Sequence, residues 1–166
     1  MKLQRITTEY SQAEDRIRLV GEGQNNQVVS LWLTQRLLNR LVPHLCQWLV
    51  QQEGTLPLTE VRQEFAQQKA LAELESQAPV RADADTQGVL VCSVDVKSIR
   101  LGVMLQFKDR DGKLAASLQL QSKPLRQWLN ILHGQYQRGT WPTGVWPSWI
   151  TDAKRMHKIK HDVVLH

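Results

Sequence analysis

Hydrophobic and polar positions alternate in two parts of the chain and recur at helical spacing directly after each. Ile99, Leu101, Val103, Leu105 and Phe107 alternate with Arg100, Gly102, Met104, Gln106 and Lys108, the period-two pattern of a strand with one buried face. Asp109-Arg110-Asp111-Gly112 then reads as a turn, and Leu114, Ala116, Leu118 and Leu120 alternate with polar or small residues as the returning strand of a hairpin. Earlier in the chain the same reading gives Arg16 to Gly21, a loop at Gly23-Gln24-Asn25-Asn26, and Val28 to Leu33. A further strand is expected before each hairpin, near Leu3 to Thr8 and near Val89 to Val96.

Each hairpin runs into a leucine-rich helix. Thr34 and Ser122 stand where the pattern changes and are the expected caps for the unpaired amides of the first turn, with Pro124 tolerated just inside. Pro43 lies within the first helix, where it cannot bond the Asn39 carbonyl, so a kink or a break into two short helices is expected near residue 42.

These two stretches read as one pattern written twice. Leu38, Leu41, Val42, Leu45 and Leu49 fall against Leu125, Trp128, Leu129, Leu132 and Tyr136 at a constant offset of 87, and Ser30-Leu31-Trp32-Leu33 falls against Ser117-Leu118-Gln119-Leu120. Arg16-Ile17-Arg18-Leu19 matches Ser98-Ile99-Arg100-Leu101 at an offset of 82, which places five extra residues in the second hairpin. The expected organisation is a first β-β-β-α unit over 1–53, a helical insertion and linker over 54–88, a second unit over 89–138, and a Trp/Pro-rich strap with a basic tail over 139–166. In the insertion, Thr59 to Gln77 is read as a helix with Val61, Phe65, Ala72 and one of Leu71 or Leu74 facing inward, and Ala78 to Gly88 as a mobile linker. The two Trp-Pro steps between Gly139 and Trp149 exclude an ordinary helix there. The fold class that follows is α+β: about six mostly antiparallel strands packed against two main amphipathic helices, in one sheet or in two.

Composition narrows the classes. A chain of 166 residues with 42% hydrophobic content is long enough for a sizeable core and too apolar for disorder. The sequence has neither a signal-like apolar stretch at its start nor an uninterrupted membrane-length apolar run, so a cytoplasmic protein without a membrane partner is expected. Cys46 and Cys92 sit in apolar contexts, which argues against a disulfide or a thiolate metal site. The net charge of +5 is uneven: residues 87–166 carry twelve Lys/Arg against five Asp/Glu, whereas residues 54–86 carry three against six.

Four features are candidates for function, each with a plainer reading. Trp141, Trp146 and Trp149 on a proline-stiffened segment suit partner binding, although large aromatics more commonly close off a core. The polar sheet positions, Arg16, Arg18 and Trp32 in one unit and Arg100, Met104, Gln106, Lys108, Gln119 and Gln121 in the other, suit nucleic acid or are simply a solvated face. Trp32 among them is a partner-binding candidate. Lys154, Arg155, Lys158 and Lys160 form a basic cluster that either binds polyanions or solubilises the tail. His157, His161 and His166 lack convincing companion ligands and are flanked by lysines, so neither a metal nor a cofactor is expected.

No phosphate-binding glycine loop, nucleophile elbow, His-Glu-x-x-His or paired-cysteine motif occurs. The sequence reading is therefore a non-catalytic cytosolic binding or accessory protein that contacts another macromolecule, expected to be a protein, and that forms a homo-oligomer. Its first alternative is a nucleic-acid-binding protein using Arg16, Arg18, Arg100, Lys108 and the basic C-terminus. Its second is an enzyme with a site assembled between the two halves.

Overall fold

A computed structural model describes residues 1–54, 57–153 and 155. The elements run β1 (Lys2–Ser11), β2 (Arg16–Gly23), β3 (Val28–Leu33), α1 (Gln35–Gln52), α2 (Thr59–Ala72), β4 (Gly88–Leu90), β5 (Ser93–Ile99), β6 (Gly102–Lys108), β7 (Leu114–Leu120) and α3 (Ser122–Arg138). A 3-10 turn at Gln24–Asn26 closes the first hairpin, and residues 148–153 are helical. The class is α+β, with seven strands rather than about six, in one mixed sheet of order β4-β3-β2-β1-β7-β6-β5.

The seventh strand arises because the stretch expected as one strand near Val89 to Val96 is two. β4 pairs with β3 at one edge of the sheet and β5 pairs with β6 at the other, yet only Val91 and Cys92 separate them. The Val91 amide donates to the Trp32 carbonyl on β3 at 3.0 Å, and the next amide, of Cys92, donates to the Lys108 carbonyl on β6 at 2.9 Å. Consecutive amides that bond opposite edges bring those edges together, so the sheet curls closed on itself.

The two three-stranded parts pair alike. Ile17↔Leu33, Leu19↔Leu31 and Gly21↔Val29 in the first hairpin match Val103↔Leu120, Leu105↔Leu118 and Phe107↔Ala116 in the second. The parallel junctions match too: Ser30↔Gly88 and Leu31↔Val89 join β3 to β4, and Ser117↔Lys2 and Leu118↔Leu3 join β7 to β1. These registers set Ile17 against Val103. The offset-82 match is overturned, because Ser98–Leu101 closes β5 and enters a turn while Arg16–Leu19 lies in β2.

Leu101, expected inward, is 66% exposed at that turn. The alternation continued through it because Arg100 and Leu101 form a tight turn between β5 and β6, with Ile99 pairing Gly102. Gly102 is required there. Its φ is 153°, and a Cβ would lie 2.1 Å from the Leu120 carbonyl oxygen.

Inward strand residues Ile17, Leu19, Leu31, Leu33, Val103, Leu105 and Phe107 meet the helix rows in one apolar cluster drawn from both halves. Leu38, Val42, Leu45 and Leu49 from α1 and Leu125, Leu129, Leu132 and Tyr136 from α3 are all buried in it. Thr34 caps α1, its hydroxyl accepting from the Leu37 amide at 3.2 Å. For α3 the cap is Gln121 rather than Ser122, and its side chain makes no capping bond.

Of the kink or break expected at Pro43, the break does not occur: α1 is one helix through Pro43. Pro43 faces solvent while Leu41, Val42 and Leu45 beside it are buried, so packing on the inner face holds the helix across the missing bond.

α2 ends at Ala72 and is turned over relative to the expectation. Gln63, Gln67, Ala70 and Leu71 face inward, whereas Val61, Phe65 and Ala72 are exposed, as is Leu74 beyond the helix end. The cause is a polar junction with α1 and α3. Arg126, almost fully buried, donates to Gln63 Oε1 at 2.6 Å and lies 3.8 Å from Glu53 and 5.5 Å over the Trp149 ring. Gln67 donates to the Arg126 carbonyl at 2.9 Å, and Gln127 of α3 donates to the Ala70 carbonyl at 3.0 Å. Groups buried here need polar partners, and the glutamine face of α2 supplies them.

Candidate interaction surfaces

The Trp-Pro segment belongs to the interior. Trp141, Trp146 and Trp149 are each 6% exposed, and Trp141 and Trp146 pack edge-on against Tyr136 with ring centroids 5.1 and 5.2 Å away. Trp141 also donates to Asp15 Oδ1, as does the Tyr10 hydroxyl, each at 2.8 Å. These two bonds, Trp141 first, hold the Asp15 carboxyl below its ordinary pKa, and Asp15 in turn pushes the Tyr10 phenol up. The segment is irregular up to Pro147, whose carbonyl accepts from the Ile150 and Thr151 amides as the final helical stretch begins.

On the outer sheet face, Arg18 lies across Trp32 at 5.7 Å and donates to Ser30 Oγ at 2.8 Å. Trp32 is half-buried against that guanidinium and against Gly88, where a Cβ would lie 2.1 Å from its Nε1. Arg16 pairs with Glu14 at 3.6 Å, and Lys108 pairs with Asp95. Arg100 is exposed in the β5–β6 turn, on the other half from Arg16 and Arg18. The four basic candidates are therefore spread over two units, three of them with partners of their own. Met104, Gln106 and Gln119 do lie on the outer face, and Gln121 has become the α3 cap. Arg155 is exposed; Lys154, Lys158, Lys160, His157, His161 and His166 lie outside the described residues.

Sequence reading missed the outward row of α2. Leu58, Val61 and Phe65 are 73%, 55% and 74% exposed and border an open hollow of about 480 Å³ with Arg62, Ala66 and Lys69. An apolar row at helical spacing signals burial, and only the neighbouring Gln63 and Gln67, also four apart, hint at the opposite orientation.

The register match between halves also defines two corresponding clefts. β1 pairs with β7 only through Lys2 and Leu3, so beyond Leu3 one side of β1 has no strand partner and faces α3. There Gln135 Oε1 accepts from the Tyr10 amide at 2.9 Å, and Trp128 Nε1 donates to Thr8 Oγ1 at 3.1 Å. This cleft is about 790 Å³, walled by Gln4, Ile6, Pro124, Gln127 and Ile131 and by the insertion from Glu73 to Gln77 and Pro79. In the other half, β5 faces α1 in the same manner, with Trp48 Nε1 donating to Ser98 Oγ at 2.9 Å. That cleft is about 350 Å³, walled at the matching positions by Cys92, Val94, Leu37, Arg40 and His44.

The segment beside the first cleft is tied to β1 at Ala78 and Val80. Arg5 Nη2 donates to the Ala78 carbonyl at 2.7 Å, the Val80 amide donates to Thr7 Oγ1 at 2.7 Å, and Val80 is buried. Lys123 on the rim pairs with Glu73 at 3.0 Å and keeps that carboxyl ionised below its ordinary pKa.

Among the described residues, no group of three or more His, Cys, Asp or Glu is placed to hold a metal ion, and no helix is long and apolar enough to cross a membrane. Cys46 is buried under the helices, which pushes its thiol up to about 12, whereas Cys92 is exposed. Comparison with known proteins finds no matching family model, curated protein or solved structure.

Proposed function

We propose that this is a non-catalytic binding or accessory protein acting through macromolecular contacts, and that a second copy of the chain is one of its partners. The observation that carries the reading is the outward row Leu58, Val61 and Phe65, large apolar side chains left in solvent by a helix that turns its glutamines inward. A nucleic-acid reading has less support, since Arg16, Arg18 and Lys108 are engaged by Glu14, by Ser30 with Trp32, and by Asp95. For an enzyme between the halves, the ionisable groups of the larger cleft are largely engaged, Arg5 with Glu22 and Lys123 with Glu73. We also infer that the halves are copies of one duplicated β-β-β-α unit, on the support of their matching registers and buried helix rows.

Sedimentation equilibrium tests the reading. The wild-type chain is expected to sediment above its 19.1 kDa monomer mass, and Phe65→Glu to return it to that mass with an unchanged circular-dichroism spectrum. A wild-type chain that stays monomeric at all concentrations would remove the self-association.

A further inference from the structure

The two clefts match in their walls and differ in what accompanies them. Beside the β1–α3 cleft runs a segment of the chain itself, residues 73–80, fixed by the Arg5 and Thr7 side chains and ending on buried Val80. No segment of the described chain walls the β5–α1 cleft in that way. By register, Arg5 and Thr7 correspond to Ser93 and Asp95.

We propose that the β5–α1 cleft binds an extended acidic peptide segment of a partner protein, lying against it as residues 73–80 lie beside the matching cleft. The proposal rests on the macromolecular-contact reading and names one partner class and its site. Three observations on this cleft support it.

First, polypeptide already walls the matching cleft, and that segment, Glu73-Leu74-Glu75-Ser76-Gln77-Ala78-Pro79-Val80, carries two acids and no base. Second, the lining of the β5–α1 cleft includes the Arg40 guanidinium and, among the described residues, no carboxylate, so its charge complements an acidic chain. The corresponding residues of the β1–α3 cleft, Gln127 and Ile131, are uncharged. Third, the apolar floor of Leu37, Leu41, Val94 and Val96 suits small apolar side chains, and about 350 Å³ accommodates a few residues. Ser93 in the lining offers a hydroxyl oxygen to a peptide amide, and Asp95 on the same strand is engaged by Lys108. Among the described residues one side of β5 lacks a strand neighbour, as one side of β1 does beyond Leu3, and such an edge favours extended backbone.

The test uses the full chain and a fluorescein-labelled synthetic peptide of residues 73–80. Saturable binding by fluorescence polarisation is expected, weakened at least about tenfold by the double variant Arg40→Glu, His44→Glu, a change of roughly 1.4 kcal/mol or more. A peptide with both glutamates replaced by lysine is expected to bind as poorly. Both substituted side chains are exposed, so the double variant is expected to keep the wild-type melting temperature; Val94→Trp, which fills the cleft, serves as a second variant. Exposed Cys92 on the cleft wall gives a local readout, because saturating peptide is expected to slow its alkylation by N-ethylmaleimide. Absence of peptide binding, binding indifferent to all these variants, or binding that leaves Cys92 alkylation unchanged overturns the site. A failure here with Phe65→Glu still dissociating the oligomer removes this cleft and leaves the broader reading intact.

Discussion

Trp48, on the helix of the first half, donates its indole N–H to the Ser98 hydroxyl on the first long strand of the second half at 2.9 Å. The reciprocal contact is made by Gln135 and Tyr10, the residues that occupy matching positions in α3 and β1. Each helix therefore packs against the strand of the other unit.

Replacing Trp48 with Phe removes the indole donor together with part of a buried ring. A loss of at least about 1 kcal/mol is expected, one hydrogen bond plus the lost packing. Urea unfolding would measure it, and an unchanged midpoint would show that the cross-unit bond contributes nothing.

Gly102→Ala is expected to be among the most damaging single substitutions in the chain. Strain from the positive φ is about 1–3 kcal/mol, and the new Cβ would also collide with the Leu120 carbonyl oxygen 2.1 Å away. Thermal melting of Gly102→Ala beside Gly112→Ala, where φ is also positive but nothing lies within 4 Å, separates the collision from the strain.

On α2 the usual hydrophobic ranking should invert. Gln63→Leu makes the buried face more apolar yet strips the Arg126 guanidinium of its 2.6 Å acceptor, for a loss of about 1–3 kcal/mol. Phe65→Ser deletes a large apolar side chain at little cost to the isolated chain, within about 0.5 kcal/mol. Denaturation midpoints of the two variants under monomeric conditions check the ordering.

Asp15 sets an acid limit on stability. Its folded-state pKa is lowered from the ordinary 3.8 by the bonds from Trp141 and Tyr10. The contribution is then fully present above 3.8, where the unfolded carboxyl is also ionised, and is lost as pH falls through the lower folded value. The melting-temperature difference between wild type and Asp15→Ala is expected to hold constant down to about pH 4 and to shrink below it. A difference that grows on acidification would contradict this assignment.

Much of the fold was legible because the helix rows and hairpin strands follow the two simple periods. Leu38 to Leu49 and Leu125 to Tyr136 are buried as their spacing requires. Leu101 and Val61 show where the pattern misleads: an alternation read through a two-residue turn, and an apolar helix face read inward when a buried arginine had claimed the polar one. The break at Val91–Cys92 had no local signal, since Leu90, Cys92, Val94 and Val96 alternate without interruption and only long-range pairing divides them. The clefts were hidden for the same reason, being made of a strand from one half and a helix from the other.

The joining of both sheet edges by two neighbouring amides has a consequence for how the chain is assembled. α1 is bonded to β5 of the second half through Trp48 and α3 to β1 of the first through Gln135, so a proteolytic nick within the exposed stretch around Asp83 and Asp85 should release no fragment: the two pieces would elute together until denatured. Refolding would proceed only when both pieces are mixed.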